Sequence, residues 1–209
     1  MRTIMLMNAK GGCGKTTMAT NIATWFADEG ATVALADFDP QGSSLDWLDA
    51  RRDYEGIPVI EGIDGTHGPV KPAKGTDYLI MDAPAGTHGA EINAMLKQVQ
   101  SLIIPVLPSP IDMRACRRFL EELLSSGRVS KKQTRIAIVA NRARENTLIY
   151  RQLEEYLAHL EIPFLTHLRE SQNYIRAAER GLGIFEMAPS QVWQDIELWD
   201  PVLEWLEKK

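Results

Sequence analysis

Short runs of aliphatic and β-branched residues alternate along this chain with stretches in which apolar side chains recur every three to four positions. The runs at 3–7, 32–38, 78–81, 102–106, 135–140 and 164–168, with a shorter one at 59–60, read as strands. They are apolar at nearly every position, as strands buried on both faces of a parallel sheet must be. The intervening periodicity predicts helices over 15–29, 43–52, 90–100, 113–126, 147–160, 171–180 and 190–206. Gly30 and Gly181 stand where helix C-caps belong. Strand and helix in this alternation predict an α/β fold: a doubly wound, mostly parallel sheet with helices on both faces. Residues 56–75, rich in Gly and Pro, predict a surface excursion, and no internal repeat is visible.

The first strand runs directly into Lys10-Gly11-Gly12-Cys13-Gly14-Lys15-Thr16-Thr17, and a helical pattern carrying Met18, Ile22 and Phe26 on one side follows at once. This is the context of a phosphate-binding loop. Glycines let backbone N–H groups turn toward an anion, the helix N-terminus adds positive potential, Lys15 reaches the β- and γ-phosphates, and Thr16 is placed to ligate Mg²⁺. The strict spacing would put Gly at position 9, where Ala9 stands, and a second lysine, Lys10, precedes the glycines. Mg²⁺ on phosphates needs hard oxygen ligands, and two strands end in carboxylates: Asp37-Phe38-Asp39 at the end of 32–38, and Asp82 after 78–81, continuing as Ala83-Pro84-Ala85-Gly86.

At these three segments the chain resembles the ParA/MinD family of deviant Walker ATPases, short ParA type. The resemblance extends to Pro105-Val106-Leu107-Pro108-Ser109-Pro110-Ile111-Asp112 and to residues 169–186, and so covers nearly the whole chain. It implies a P-loop ATPase that closes into an ATP-dependent homodimer, with Lys10 crossing to the partner's phosphates. Lys15, Thr16 and the rest of the loop, Gly11, Gly12, Cys13, Gly14 and Thr17, would serve the nucleotide of their own subunit. It further implies that Asp39 positions or activates the attacking water, that Asp37 supports the Mg²⁺ shell, that Asp82 holds Mg²⁺ through water, and that Asn141 occupies the adenine-contacting position. Asn141 also reads simply as a polar strand terminus, and Cys13 as filler. Function in such proteins is to position or segregate a cargo, a plasmid or a protein organelle such as the carboxysome, over non-specific nucleoid DNA, with a cargo-bound adaptor protein stimulating hydrolysis.

Composition narrows the alternatives. With 209 residues, 44% hydrophobic and 24% charged, the chain reads as one globular domain over 1–209. No apolar run approaches the ~20 residues of a membrane span, and the N-terminal one breaks at Asn8, so a cytoplasmic protein is expected. The first strand begins at once, so no DNA-reading N-terminal extension is expected either. Two cysteines, Cys13 and Cys116, fit a reducing compartment and leave only Cys116 outside the loop, which disfavours an iron–sulfur relative. His67, His88, His159 and His167 lack metal-ligand spacing. Apolar positions 192, 196, 199, 203 and 206 are interleaved with Asp195, Glu197, Asp200, Glu204 and Glu207, an acidic pattern that opposes binding to anionic lipid, so no membrane is expected. A MinD-like membrane-associated regulator and a metabolic ligase of dethiobiotin-synthetase type stay as alternatives.

Net charge is −5, but residues 112–151 hold 10 basic and 4 acidic side chains between two acidic segments. That block reads either as a solvated helix surface with a basic loop or as a phosphate-backbone contact surface. On the second reading Arg142, Arg144 and Arg176 are the DNA-contact candidates.

Overall fold

The computed structural model describes residues 1–131 and 133–208. Its strands are β1 (Arg2–Leu6), β2 (Val33–Asp37), β3 (Glu61–Asp64), β4 (Tyr78–Asp82), β5 (Ser101–Val106), β6 (Arg135–Ala143) and β7 (Phe164–Arg169). The helices are α1 (Lys15–Asp28), α2 (Ser43–Arg51), α3 (Ala90–Leu96), α4 (Pro110–Ser125), α5 (Gly127–Ser130), α6 (Leu148–Ala158), α7 (Gln172–Ala178), α8 (Pro189–Glu197) and α9 (Asp200–Glu207), with a 3₁₀ turn at Ile184–Glu186. The strands form one parallel sheet in the order β3-β2-β4-β1-β5-β6-β7. The expected doubly wound fold is present.

Each central strand serves two cores because its side chains alternate. Ile4 and Leu6 join a cluster with Met18, Ile22 and Phe26 of α1, Trp47 and Leu48 of α2, and Val192, Val202 and Leu206 of α8 and α9. Met5 joins the opposite cluster with Ile92 of α3, Phe119 and Leu123 of α4, and Leu153 and Leu157 of α6. Burial on both faces is why these strands read as continuous apolar runs. β1 lies between β4 and β5, and the chain winds away from it in both directions, so the crevice beyond its C-terminal end is the ligand position of such sheets.

Two expectations are corrected. The strand expected at 59–60 is β3, Glu61–Asp64, at the sheet edge beside β2. Its residues alternate between half-buried and exposed, and a Cβ at Gly62 would lie 2.8 Å from Leu48 Cδ1, so a larger residue there would displace that leucine. The helix expected over 190–206 is two helices, α8 and α9, with Trp199 between them and Pro201 in the first turn of α9. Proline has no N–H to continue α8 and fits the start of a helix. The stripe itself packs inward: Val192, Trp199, Leu203 and Leu206 are buried.

The C-terminal end of α2 is fixed by Arg51, 5% exposed, whose guanidinium donates to Pro58 O, Gly181 O and both carboxylate oxygens of Glu186. Gly181 takes φ +66°, and a Cβ there would lie 2.2 Å from Arg51 N. At the opposite end of the sheet from the phosphate loop, Arg2 and Arg135 donate to the last carbonyls of α9, among them Glu207 O at 3.1 Å and Trp205 O at 2.7 Å. Arg135 is thereby a structural cap at one end of β6, while Arg142 lies at the other. The basic block is divided between two ends of the molecule.

Candidate nucleotide-binding site

β1 delivers Asn8 into the loop, where its Nδ2 donates to Pro105 O at 2.7 Å and its Oδ1 accepts Lys10 N–H at 3.3 Å. Gly12 and Gly14 have φ of +77° and +92°, a region open to glycine, and α1 starts at Lys15. Lys15 is 7% exposed, and its Nζ lies 3.5 Å from Lys10 O, so the ammonium is folded into the bowl of the loop. Lys10 is different: its side chain is 37% exposed and its Nζ lies 3.8 Å from Asp112 Oδ2 at the start of α4. Cys13 is buried, its Sγ 3.3 Å from Lys10 O, and burial pushes its thiol above the ordinary value, the behaviour of filler.

The two strand-end carboxylates stand side by side, Asp37 opposite Asp82 in the β2/β4 register. Asp82 Oδ2 accepts the Thr16 hydroxyl at 2.6 Å and the Ser44 hydroxyl at 2.8 Å. Asp37 accepts the N–H groups of Asp39 at 2.9 Å and Ser44 at 2.7 Å. Asp39 is half-buried and accepts Gln41 N–H at 3.0 Å, close to Asp37 but without a bond to Thr16 or Asp82. Burial pushes the Asp82 carboxyl up to about 6 against the two hydroxyl bonds, and burial likewise raises Asp37. The second Asp82 oxygen, Oδ1, is buried with no hydrogen-bond partner among the described residues. A hydroxyl and an unsatisfied carboxylate at the foot of a phosphate loop form a hard oxygen donor set that fits Mg²⁺.

The pH dependence of the nucleotide-free chain follows. A carboxyl raised in the folded state contributes stability that is complete below the unfolded value and is lost as pH rises through the folded one. For Asp82, raised from 3.8 to about 6, that share is up to about 3 kcal/mol. Urea unfolding is therefore expected to give a more stable chain at about pH 5 than at about pH 7.5, and Asp82→Asn to flatten that dependence. Asp28 shifts the same way, through burial and then the nearby Glu186, so Asp82→Asn removes only its own share. A parent and variant with equal pH slopes would remove Asp82 as the source.

Asn141 is buried at the end of β6, and its Nδ2 donates to Cys13 O at 2.8 Å, bracing the loop against which it packs. With Thr17, Arg142, Tyr174 and Ile175 it also lines a cleft of about 350 Å³ between the start of α1 and the β7–α7 segment. Arg142, exposed, has φ +50°, the one non-glycine residue with positive φ among those described. Arg144 is exposed and pairs with Glu170, and Arg176 is exposed on α7. Arg142 is the penultimate residue of β6, Arg144 follows that strand at once, and Arg176 lies in the last turn of the helix after β7. Sequence reasoning missed Ser44, which ties Asp37 to Asp82, and Asp112, which meets Lys10; the pair of serines following Asp39-Pro40-Gln41-Gly42 at a helix start was the available signal for the first.

Residues 4–184 match the CobQ/CobB/MinD/ParA nucleotide binding domain. A maintenance of carboxysome distribution protein A from Halothiobacillus neapolitanus is 31% identical over 88% of this chain and 87% of its own length. The chromosome-partitioning ATPase Soj of Thermus thermophilus is 27% identical over 91% and 90% of the two chains. Among solved structures, one described as a plasmid partition protein of Borrelia burgdorferi bound to AMPPNP superposes with a TM-score of 0.75 at 16% identity, covering 97% of this chain and 98% of that one. Phosphate loop, paired strand-end carboxylates, sheet order and sequence all agree, and the chain belongs to the CobQ/CobB/MinD/ParA nucleotide-binding family.

Proposed function

We propose that this chain is an ATP-hydrolysing positioning protein that pairs with a second copy when ATP is bound, holds non-specific DNA as that pair, and is released when a cargo-bound adaptor protein stimulates hydrolysis. The observation that carries this reading is the unequal setting of the two loop lysines. Lys15, 7% exposed, is committed to phosphates of its own subunit, whereas Lys10, with 37% of its side chain exposed, is available at the mouth of the site to phosphates bound by a partner. Thr16 and Asp82 would hold Mg²⁺, with Asp37 and Asp39 beside them, and the metal when bound neutralises charge on the β- and γ-phosphates. Asp39 positions the attacking water, and the cleft beside Asn141 receives the base.

The carboxysome-distribution relative, at 31% identity across nearly the full length of both chains, favours a protein organelle over a plasmid as cargo. Among the described residues no helix is long and apolar enough to cross a membrane, and α9 buries the apolar side that a membrane-seeking helix would expose. The burial of that side favours the nucleoid over a lipid surface as the place of work.

The DNA arm is tested with random-sequence duplex. The parent is expected to bind only with ATP and to release as salt rises. Arg142→Glu, Arg144→Glu and Arg176→Glu together are expected to weaken retention about 100-fold or more while the ATP-bound pair persists in sedimentation. Arg144 is already paired with Glu170 and is expected to contribute least of the three. Retention equal to the parent's, or equally tight binding without nucleotide, would refute the DNA surface and advance the metabolic-ligase alternative.

A further inference from the structure

We infer that Asp112 is a positioning residue that holds Lys10 within its own subunit until triphosphate is present, and so sets the nucleotide concentration at which two copies pair. The inference rests on the dimer reading above and adds a restraint to it. Lys10 Nζ lies 3.8 Å from Asp112 Oδ2, and the aspartate side chain is 6% exposed. Ser109, Pro110, Ile111 and Asp112 form the entry to α4: Ser109 Oγ accepts Asp112 N–H at 3.2 Å, and the Ser109 hydroxyl donates back to Asp112 Oδ2 at 2.6 Å. Pro110 fixes the first turn. The carboxylate is therefore held in one orientation by its own helix terminus.

A carboxylate that only capped the helix would keep its other oxygen in water. Asp112 Oδ1 is instead buried and has no hydrogen-bond partner among the described residues, and Lys10 is the cation with which Asp112 pairs. When Lys10 leaves for phosphates across a dimer interface, the carboxylate stays behind, buried and unpaired, which is unfavourable. Breaking that pair is the cost of moving Lys10, and it opposes dimerisation until the charge of bound triphosphate outweighs it. This gives the Pro-rich segment after β5 a task that phosphate binding alone does not.

Sedimentation of the full chain against AMPPNP with Mg²⁺ reads the threshold directly. Asp112→Asn keeps a hydrogen-bonding group at the cap and removes the charge; with about threefold per subunit for a partly exposed ion pair, it is expected to pair at roughly tenfold lower nucleotide. Asp112→Glu, which restores the charge, is expected to move the threshold back toward the parent's. An Asn variant needing as much nucleotide as the parent, or more, overturns the inference. A second measurement uses the nucleotide-free parent: reductive ¹³C-methylation, with the Lys10 signal assigned by its absence in Lys10→Arg. Held by Asp112, Lys10 is expected to react more slowly than the exposed Lys71 and Lys74. Equal reactivity overturns the restraint whether or not the Asn variant folds. If the parent fails to pair with AMPPNP, the dimer reading falls, and the methylation rate still decides the contact.

Discussion

Lys15→Ala is expected to reduce ATP affinity by about a hundredfold or more, close to 3 kcal/mol, because a charged hydrogen bond to phosphate is lost and, among the described residues, no second cation is folded into the loop. Lys10 does not substitute for it. Its ammonium sits 3.8 Å from Asp112, whereas Lys15 is folded under the loop against Lys10 O. Isothermal titration with ATP and Mg²⁺ measures the loss. The fold should survive, since the side chain makes a single 3.5 Å contact to a carbonyl and no ion pair among the described residues. A Lys15→Ala chain that binds ATP like the parent would dismiss the loop as the nucleotide site.

Asp39→Ala should leave binding intact and suppress turnover by about 10²- to 10⁴-fold, the range associated with a residue that positions or deprotonates a nucleophile. Its carboxylate contacts only the Gln41 N–H among the described residues, so little stability is at stake. Lys10, Lys15, Thr16 and Asp82 all remain, and the variant is expected to accumulate as a long-lived ATP-bound pair in light scattering. Phosphate release at the parental rate would take Asp39 out of the mechanism. Asp37 behaves differently: its oxygens accept the N–H groups of Asp39 and Ser44, so its loss should disorder the start of α2 as well as slow turnover.

What could be read in the sequence followed from locality. The phosphate loop is contiguous, and its glycines, lysines and following helix fall within one turn of the chain. The central strands are legible because both faces of each are covered. β3 is not, because in this edge strand only Glu61 and Ile63 are half-buried, while Gly62 and Asp64 are exposed, so no apolar run marks it. The apolar stripe at 192, 196, 199, 203 and 206 hid the break between α8 and α9, since Trp199 keeps the spacing across it; Pro201 was the contrary indication. Ser44 and Asp112 act through contacts that only the closed sheet creates. The basic block looked continuous because charge was counted along the chain, whereas β6 carries Arg135 and Arg142 to opposite ends.

The attachments of α2 have a mechanical meaning. Its first turn is fastened by Ser44 to both Asp37 and Asp82, and its last residue, Arg51, to Glu186, Gly181 and Pro58. Trp47 Nε1, between them, donates to Leu182 O at 3.2 Å. A nine-residue helix pinned at both ends acts as a strut: it cannot pivot at the phosphate end without pulling on the 181–186 turn, about 13 Å away along its axis. That turn is in turn sewn to α1, where Ile184 N–H donates to Asn21 Oδ1 at 2.6 Å. The helix that begins at Lys15 and the helix that follows Asp39 thus share a remote anchorage, and a displacement at the phosphate loop is borne by a closed truss rather than by a loose end.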